Sequence, residues 1–381
     1  MTTQRMSVGF DYPNAAISGP HLGKYPVKAT RTGTARGVAP NGIFYTYPAG
    51  SLRYTRGGIY CEPSRTNYLP YSQQASGAFT HSVIGVFDNY AQSLTLTAGD
   101  YTASAIFTRA LTSLANSEFD RIYGLSYISI TAGSATITQG NQYRVPMDMG
   151  DPGFIYSFGS PNTIGLFKAR PFTVLTGGTV TINIGYVSSD VHGFDFVNIQ
   201  EGSQWTTPIE TGGTTMTRNS DGYYMDINQS AGNNLFEPIC GTFLVRARTN
   251  LYMSTAQTLI HLLEVGAGTD KLTMQVERNP TTKLIAEINT YAGYTFFGSC
   301  DTPGVEIKAA MSYTDGTQLC ALNGRKPVNG GPQTSAVDFT HINKMWIGCK
   351  TVGTEEFIGV IHSIFFYAQN MGQQDLCSLT F

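Results

Sequence analysis

Apolar and hydroxyl-bearing residues alternate along much of this chain, and no other feature limits its fold as much. Ser93-Leu94-Thr95-Leu96-Thr97 alternates and then meets a turn at Ala98-Gly99-Asp100. Tyr101-Thr102-Ala103-Ser104-Ala105-Ile106-Phe107 follows, and strand patterns return at 127–130, 135–138, 172–175, 179–184 and 195–200. Successive side chains of a strand point to opposite faces, so a period of two marks strands buried on one side and wet on the other. Strands of this length and spacing predict a two-sheet sandwich over 57–217. Gly177-Gly178 reads as the turn of a hairpin between 172–175 and 179–184.

A second run of strands fills 241–381. It opens at Gly241-Thr242-Phe243-Leu244-Val245 and ends at Gly359-Val360-Ile361-His362-Ser363-Ile364-Phe365-Phe366-Tyr367, with Asn323-Gly324 as a two-residue hairpin turn. Trp346 is expected in its core, and Trp205 is expected to pack a connector, 218–240, against the first sandwich. One short helix is predicted, with Asn370 as N-cap leading into 371–376. No short repeat occurs, which excludes a β-helix. Residues 1–56 show neither period, and Pro13, Pro20, Pro26, Pro40 and Pro48 break any continuous element. They read as an extended arm that docks on another protein. The fold class is therefore all-β: an extended N-terminal arm (1–56), then two jelly-roll-like β-sandwiches (57–217 and 241–381).

Charged residues make up 13% of the chain, against about 25% in an ordinary soluble domain. Its surface must be covered by hydroxyls, amides and phenols. Residues 1–65 carry eight basic side chains and two acidic ones, against a net charge of −2 for the whole, so the remainder is acidic. The basic groups are dispersed and no helix accompanies them, so no nucleic-acid partner is expected. No apolar run reaches the length of a membrane helix and no signal peptide precedes the chain, so no membrane insertion is expected. The six cysteines lack metal or CxxC spacing and are expected to be reduced.

No catalytic constellation stands out, and no enzyme activity, cofactor or metal is expected. The six histidines have no partner at metal-ligand spacing. Glu355-Glu356 is one adjacent pair on a loop, whereas a glycosidase needs two carboxylates about 5–10 Å apart across a cleft. Asp148 and Asp151 fall short of a calcium shell. The best glycan-binding cluster is Asn289 with Tyr291, Tyr294, Phe296 and Phe297, since flat rings stack on sugars and amides read hydroxyls. The alternative for the same residues is an apolar hairpin facing a neighbouring domain or subunit.

Residues 57–71 hold a short strand, a charged elbow (Glu62, Pro63, Arg65) and an Asn-aromatic exit (Asn67, Tyr68). They read as the junction of arm and body, where Glu62, Arg65 and Asn67 keep the two in register. Glu62-Pro63-Ser64-Arg65-Thr66-Asn67-Tyr68 with Tyr71-Ser72 resembles the "I-E-P-x-R-T-N-L-L-x-Y-S" segment of tailed-bacteriophage tail-fibre and appendage proteins. The phrase that closes the following sandwich in those proteins, "Q-L-E-x-G-x-x-x-T-x-P-I-x-T", is matched by Gly202, Thr206, Pro208, Ile209 and Thr211. Asn198 and Gln200 replace its Gln and Glu, and Trp205 replaces a smaller residue. Residues 241–381 are similar to concanavalin-A-like or laminin-G-like domains.

The resemblance implies a carbohydrate-binding-like sandwich followed by a lectin-like one. It also implies a non-enzymatic tail, collar or head fibre of a virion, made in the host cytoplasm. Expected partners are other virion proteins (portal, tail, collar or capsid), further copies of the chain in a trimer, and a host surface glycan. The alternatives are a glycan-binding receptor module proper and a polysaccharide depolymerase.

Overall fold

A computed structural model describes residues 27–39, 43–55, 57–110, 122–144, 154–155, 163–203, 205–226, 240–249, 253–264, 269–278, 282–288, 292–298, 306–314, 317–326, 342–350, 356–367 and 369–381. Among the described residues it is predominantly β, with the strands pairing antiparallel, single helical turns at 74–76 and 122–124, and a short helix near the C-terminus. The chain forms two compact units: a central one (33–49 and 64–219) and a flanking one (1–32, 50–63 and 220–381). The sequence expects one arm over 1–56 and sandwiches divided at 57 and 241. The described parts of that arm are instead shared between the units.

In the central unit a four-stranded sheet runs Ser126–Ala132, Gly178–Tyr186, Phe87–Leu96, Thr80–Ile84. A larger sheet runs Thr136–Gln139, Thr163–Thr176, Gly99–Ala110, Gly193–Glu201, Arg65–Asn67, Met216–Arg218, with Tyr143–Arg144 and Phe154–Ile155 also pairing on Thr163–Thr176. The alternation explains the core. Ile128, Ile130, Val180, Ile182 and Ile184 pack in one buried cluster with Ala103, Ala105, Phe107, Leu166 and Ile199 of the other sheet. Trp205 is buried in this unit, edge-on to Phe167.

Gly177-Gly178 is not a hairpin turn. Thr163–Thr176 pairs with Gly99–Ala110, whereas Gly178–Tyr186 pairs with Ser126–Ala132 and Phe87–Leu96 in the other sheet. The two glycines carry the chain from sheet to sheet. The crossing is tight: a β-carbon at Gly178 would lie 2.7 Å from the Ala135 nitrogen.

In the flanking unit a seven-stranded sheet runs Lys28–Ala29, Tyr223–Asp226, Lys344–Ile347, Met253–Glu264, Thr269–Arg278, Thr282–Ile288, Ala292–Gly298. A six-stranded sheet runs Thr317–Leu322, Glu306–Thr314, Cys240–Thr249, Gly359–Tyr367, Gly58–Cys61, Tyr54–Thr55. Gly58–Cys61 therefore belongs here and not with the sandwich that follows it in sequence. Ile59 and Cys61 enter the core of this unit beside Val245 and Ile361. Cys61, Cys240, Cys320, Cys349 and Cys377 are free thiols, and Cys300 lies outside the described residues.

Asn323 and Gly324 both have positive φ, as the hairpin turn requires. The helix spans Gln373–Thr380 with Gly372 as N-cap, later than the start expected at Asn370. The reason is that Met371 is held before it: its N–H donates to Ser312 Oγ and its side chain joins Leu244 and Leu376 in a small apolar cluster. Trp346 does not join the main core either. Met345 and Ile347 point into it, so Trp346 faces the other way, 5.2 Å from the Tyr224 ring.

A lysine is buried in the central sandwich. Lys168 is fully buried and donates two 2.6 Å hydrogen bonds, to the carbonyls of Tyr123 and Ser126. Burial, helped by Arg144 and Arg170, lowers its pKa to about 7. A neutral amine has two N–H groups for those two carbonyls. Unfolded, the lysine keeps its ordinary value of 10.5. Below pH 7 both states bind the proton and the burial cost is paid in full. Between about 7 and 10.5 only the unfolded state binds it, so stability rises with pH. Urea titrations of wild type and Lys168→Met should therefore diverge above pH 7, with the wild type gaining up to about 1.4 kcal/mol per pH unit relative to the variant. A constant difference from pH 6 to 9 would contradict this.

Candidate carbohydrate-binding face

The outward positions of the four-stranded sheet form ordered rows. Tyr127, Gly185, Asn89 and Ser82 are register partners across all four strands. Ser129, Asn183, Ala91 and Thr80 form the next row, followed by Thr131, Thr181 and Ser93, then Thr179 and Thr95. None of these residues is charged. At strand and residue spacings of about 4.8 and 3.4 Å the rows span about 14 by 20 Å. The residues beneath them point inward, so the face is the wet half of the alternation read from sequence.

The polar groups are tied together. Asn183 Nδ2 donates to Thr131 Oγ1 at 3.1 Å, Ser93 and Thr181 share a hydroxyl hydrogen bond of 2.7 Å, and Asn89 Nδ2 donates to Ser82 Oγ at 3.3 Å. At one end lies an aromatic ring. Tyr127 reaches across the Gly185 strand, and its hydroxyl donates to Asn89 Oδ1 at 2.8 Å. Phe87 meets Tyr127 edge-on at 5.3 Å. A β-carbon at Gly185 would sit 2.1 Å from a Tyr127 ring carbon, so only glycine lets the ring lie down. Gly185→Ala should lift the ring and destabilise the sheet by about 1–3 kcal/mol, the usual cost of overpacking. Equal melting temperatures would contradict that placement.

Chemically, the face offers a fixed ring, two amides and a field of hydroxyls. Serine, threonine and asparagine lose less rotamer entropy on contact than lysine or glutamate. An uncharged ligand rich in hydroxyls meets complementary groups here.

The cluster expected at 289–297 is only partly described. Tyr294, Phe296 and Phe297 lie on Ala292–Gly298, the edge strand of the seven-stranded sheet, in register with Ala286, Leu284 and Lys283. Asn289 and Tyr291 lie outside the described residues, as do Asp148, Asp151 and Glu355.

The residues expected at 62–67 divide between the units. Glu62 is fully buried in the flanking unit, where its carboxylate meets Arg53 Nη1 at 2.6 Å. Asp221 bridges Arg53 at 2.6 Å and Arg31 at 2.5 Å, and all four side chains are buried. Burial works against the Arg53 charge, but Asp221 and Glu62 outweigh it and hold the guanidinium more firmly protonated than usual. Arg65 is half-buried in the central unit, donates to the Ser64 carbonyl at 3.0 Å, and lies in register with Arg218.

Asn67 is buried in the central unit and uses its amide four times. It donates to the carbonyls of Val197 and Ile209 and accepts from the N–H groups of Leu69 and Ile199. Asn198 Oδ1 accepts from Ile209 N–H, and Gln200 Oε1 accepts from Thr206 N–H and its hydroxyl. The phrases at 62–72 and 198–211, far apart in sequence, are thus bonded to each other.

A pocket of about 220 Å³ in the central unit is lined by Arg36, Glu210, Met216 and Arg218 among others. Glu210 ion-pairs with Arg36 and accepts a 2.7 Å hydrogen bond from Gln73. Burial, with Glu210 nearby, raises the Asp195 carboxyl to about 6. Glu210 is committed at both oxygens, which leaves it poorly placed as a general base. Among the described residues no group of three His, Cys, Asp or Glu side chains is arranged to hold a metal ion.

Sequence reasoning missed Tyr127, Asn89 and Asn183. Their outward orientation was present in the alternation, but their adjacency depends on register between distant strands.

No family model matches the chain, and no curated protein matches it. Among solved structures it is similar to the CBM40 of the Ruminococcus gnavus IT-sialidase bound to α2,6 sialyllactose. That match has 15% identity and a TM-score of 0.31, over 38% of this chain and 84% of the other. The Streptococcus pneumoniae NanB sialidase matches at 18% identity and a TM-score of 0.31, over 41% of this chain and 26% of that one. The Trypanosoma rangeli sialidase in complex with the inhibitor DANA matches at 11% identity and a TM-score of 0.34, over 43% and 27%. Likeness this distant carries no inference about ligand or activity.

Proposed function

We propose that this chain is a non-enzymatic glycan-binding protein whose central sandwich engages neutral stretches of polysaccharide on the outer face of its four-stranded sheet. The observation that carries this reading is the Tyr127-Gly185-Asn89-Ser82 row, an aromatic ring laid flat on glycine beside a fixed amide, on outward rows that carry no charged side chain. The ring stacks on a pyranose, Asn89 holds the ring in place, and Asn183 and the hydroxyl rows read the sugar's substituents. Rigid, short side chains keep the ordering cost of binding low.

A second reading, that the protein is an appendage of a tailed-phage virion, is compatible with the first. It is favoured by the bonding of the phrase at 62–72 to the phrase at 198–211 through Asn67. In that setting the chain is a homotrimer fixed to other virion proteins, and the glycan belongs to the host surface.

Host capsule and lipopolysaccharide fragments on a glycan array provide the test. The wild type should bind a glycan that Tyr127→Ala binds about 30-fold more weakly, the loss of about 2 kcal/mol typical of a central anchor. Tyr127→Phe, which keeps the ring, should retain binding. An array on which wild type and Tyr127→Ala are indistinguishable would overturn the reading. Sustained release of reducing ends from the same glycans would replace it with the depolymerase alternative.

A further inference from the structure

The outward rows of the four-stranded sheet continue past Tyr127, and there they change character. Ile84 and Phe87 are register partners two residues beyond Ser82 and Asn89, so they lie on the same outward face. Gly85-Val86 is the two-residue turn between them, and Gly85 supplies the positive φ of 64° that the turn needs. Ile84 is 57% exposed and Val86 72%. Val83, also exposed, alternates to the other side of the strand. Phe87 is half-buried and meets the Tyr127 ring edge-on at 5.3 Å. An apolar margin thus starts at the ring on which the glycan-binding reading rests.

Apolar side chains scattered singly over a surface are ordinary, but these are neighbours on one face. At about 3.4 Å per residue, the Ile84-Phe87 row lies about 7 Å from the Tyr127 row, within reach of a substituent on a pyranose stacked there. The side chains of Ile84, Val86 and Phe87 have no hydrogen-bonding group. A hydroxyl brought against them leaves water without gaining a partner, whereas a methyl group gains by leaving it. A partner protein fits this margin less well, since a stable interface takes about 20–30 residues a side.

We propose that this margin receives the methyl group of a 6-deoxyhexose whose ring stacks on Tyr127. The inference rests on the glycan-binding reading above and names the class of sugar that the face prefers. An acetamido group also ends in a methyl, but its N–H and C=O would lie unpaired against the same apolar side chains. A methyl borne directly on the ring carbon skeleton brings no such group with it.

The test follows the Tyr127 ring resonances in full-length protein carrying ¹³C-labelled tyrosine, assigned through Tyr127→Phe. The protein is titrated with the methyl glycosides of L-fucose and L-rhamnose, and with those of L-galactose and L-mannose, which bear a hydroxymethyl group in place of the methyl. The methyl glycoside of N-acetylglucosamine completes the set. A 6-deoxy sugar should give a saturable shift, with an affinity about tenfold above that of its hydroxylated counterpart. Ile84→Thr and Val86→Ser should each abolish that preference, and both positions are exposed, so neither variant disturbs the core. Equal affinities within each pair would overturn the proposal and leave the sheet-face reading standing, as would tighter binding of the N-acetyl sugar. So would a preference that survives both variants, including the case in which Ile84→Thr splits a dimer seen by sedimentation and the margin is a contact between copies. If no glycoside shifts Tyr127, the sheet-face reading fails and this proposal fails with it.

Discussion

Asp221→Ala is expected to cost the flanking unit about 3–5 kcal/mol, because it removes the carboxylate that neutralises two buried guanidiniums at once. Arg53 would keep its contact with Glu62, while Arg31 would lose the carboxylate it meets, in a site closed to water. Breaking a buried ion network on one side is far more costly than its formation is favourable, since the desolvation penalty of the remaining charge stays. The network also joins four stretches of chain, at 28–31, 50–55, 58–62 and 221–226. Tyr223 reinforces it by donating to the Tyr60 carbonyl at 2.9 Å. Urea unfolding followed by fluorescence measures the loss. A change below about 1 kcal/mol would mean that water or rearrangement compensates the charge.

Asn67→Ala is the second large effect, also expected at about 3–5 kcal/mol, and it falls on the central unit. The substitution orphans two carbonyls and two N–H groups where water does not reach, and each lost partner carries about 1–3 kcal/mol, only part of which relaxation recovers. Asn67→Asp discriminates the mechanism. It keeps the two acceptor bonds, loses both donor bonds and adds a buried charge, so it should be no more stable than the alanine variant. If Asn67→Asp matched the wild type, the amide's donor side would not matter and the account of this joint would be wrong.

The architecture was legible because alternation is a local signal. Ser93-Leu94-Thr95-Leu96 states on its own which side chains face the core, and the all-β class follows. Gly177-Gly178 shows where local signals stop. The same dipeptide serves a hairpin or a crossing between sheets, and only the pairing of distant strands decides. Gly58–Cys61 is a similar case. Its apolar residues announce a strand, but its partner, Gly359–Tyr367, comes near the end of the chain. Trp346 is buried as expected, yet it lies outside the main apolar cluster because the phase of its strand turns Met345 and Ile347 into that cluster.

The candidate site was half legible for the same reason. An uncharged hydroxyl face can be read from strands at 93–97 and 179–184 taken singly. Tyr127 lying over Gly185 toward Asn89 cannot, since it combines three strands. Asn67 stood out as part of a recognisable phrase, but its four hydrogen bonds require the fold that brings Val197, Ile199 and Ile209 to it.

The central claim, that the outer face of the four-stranded sheet is where glycan binds, is tested most directly by hydrogen exchange with and without a glycan that the protein retains. The account predicts added protection centred on 126–132, 178–186 and 87–96, lost in Tyr127→Ala. Protection confined instead to 289–298, with these three strands unchanged, would contradict it.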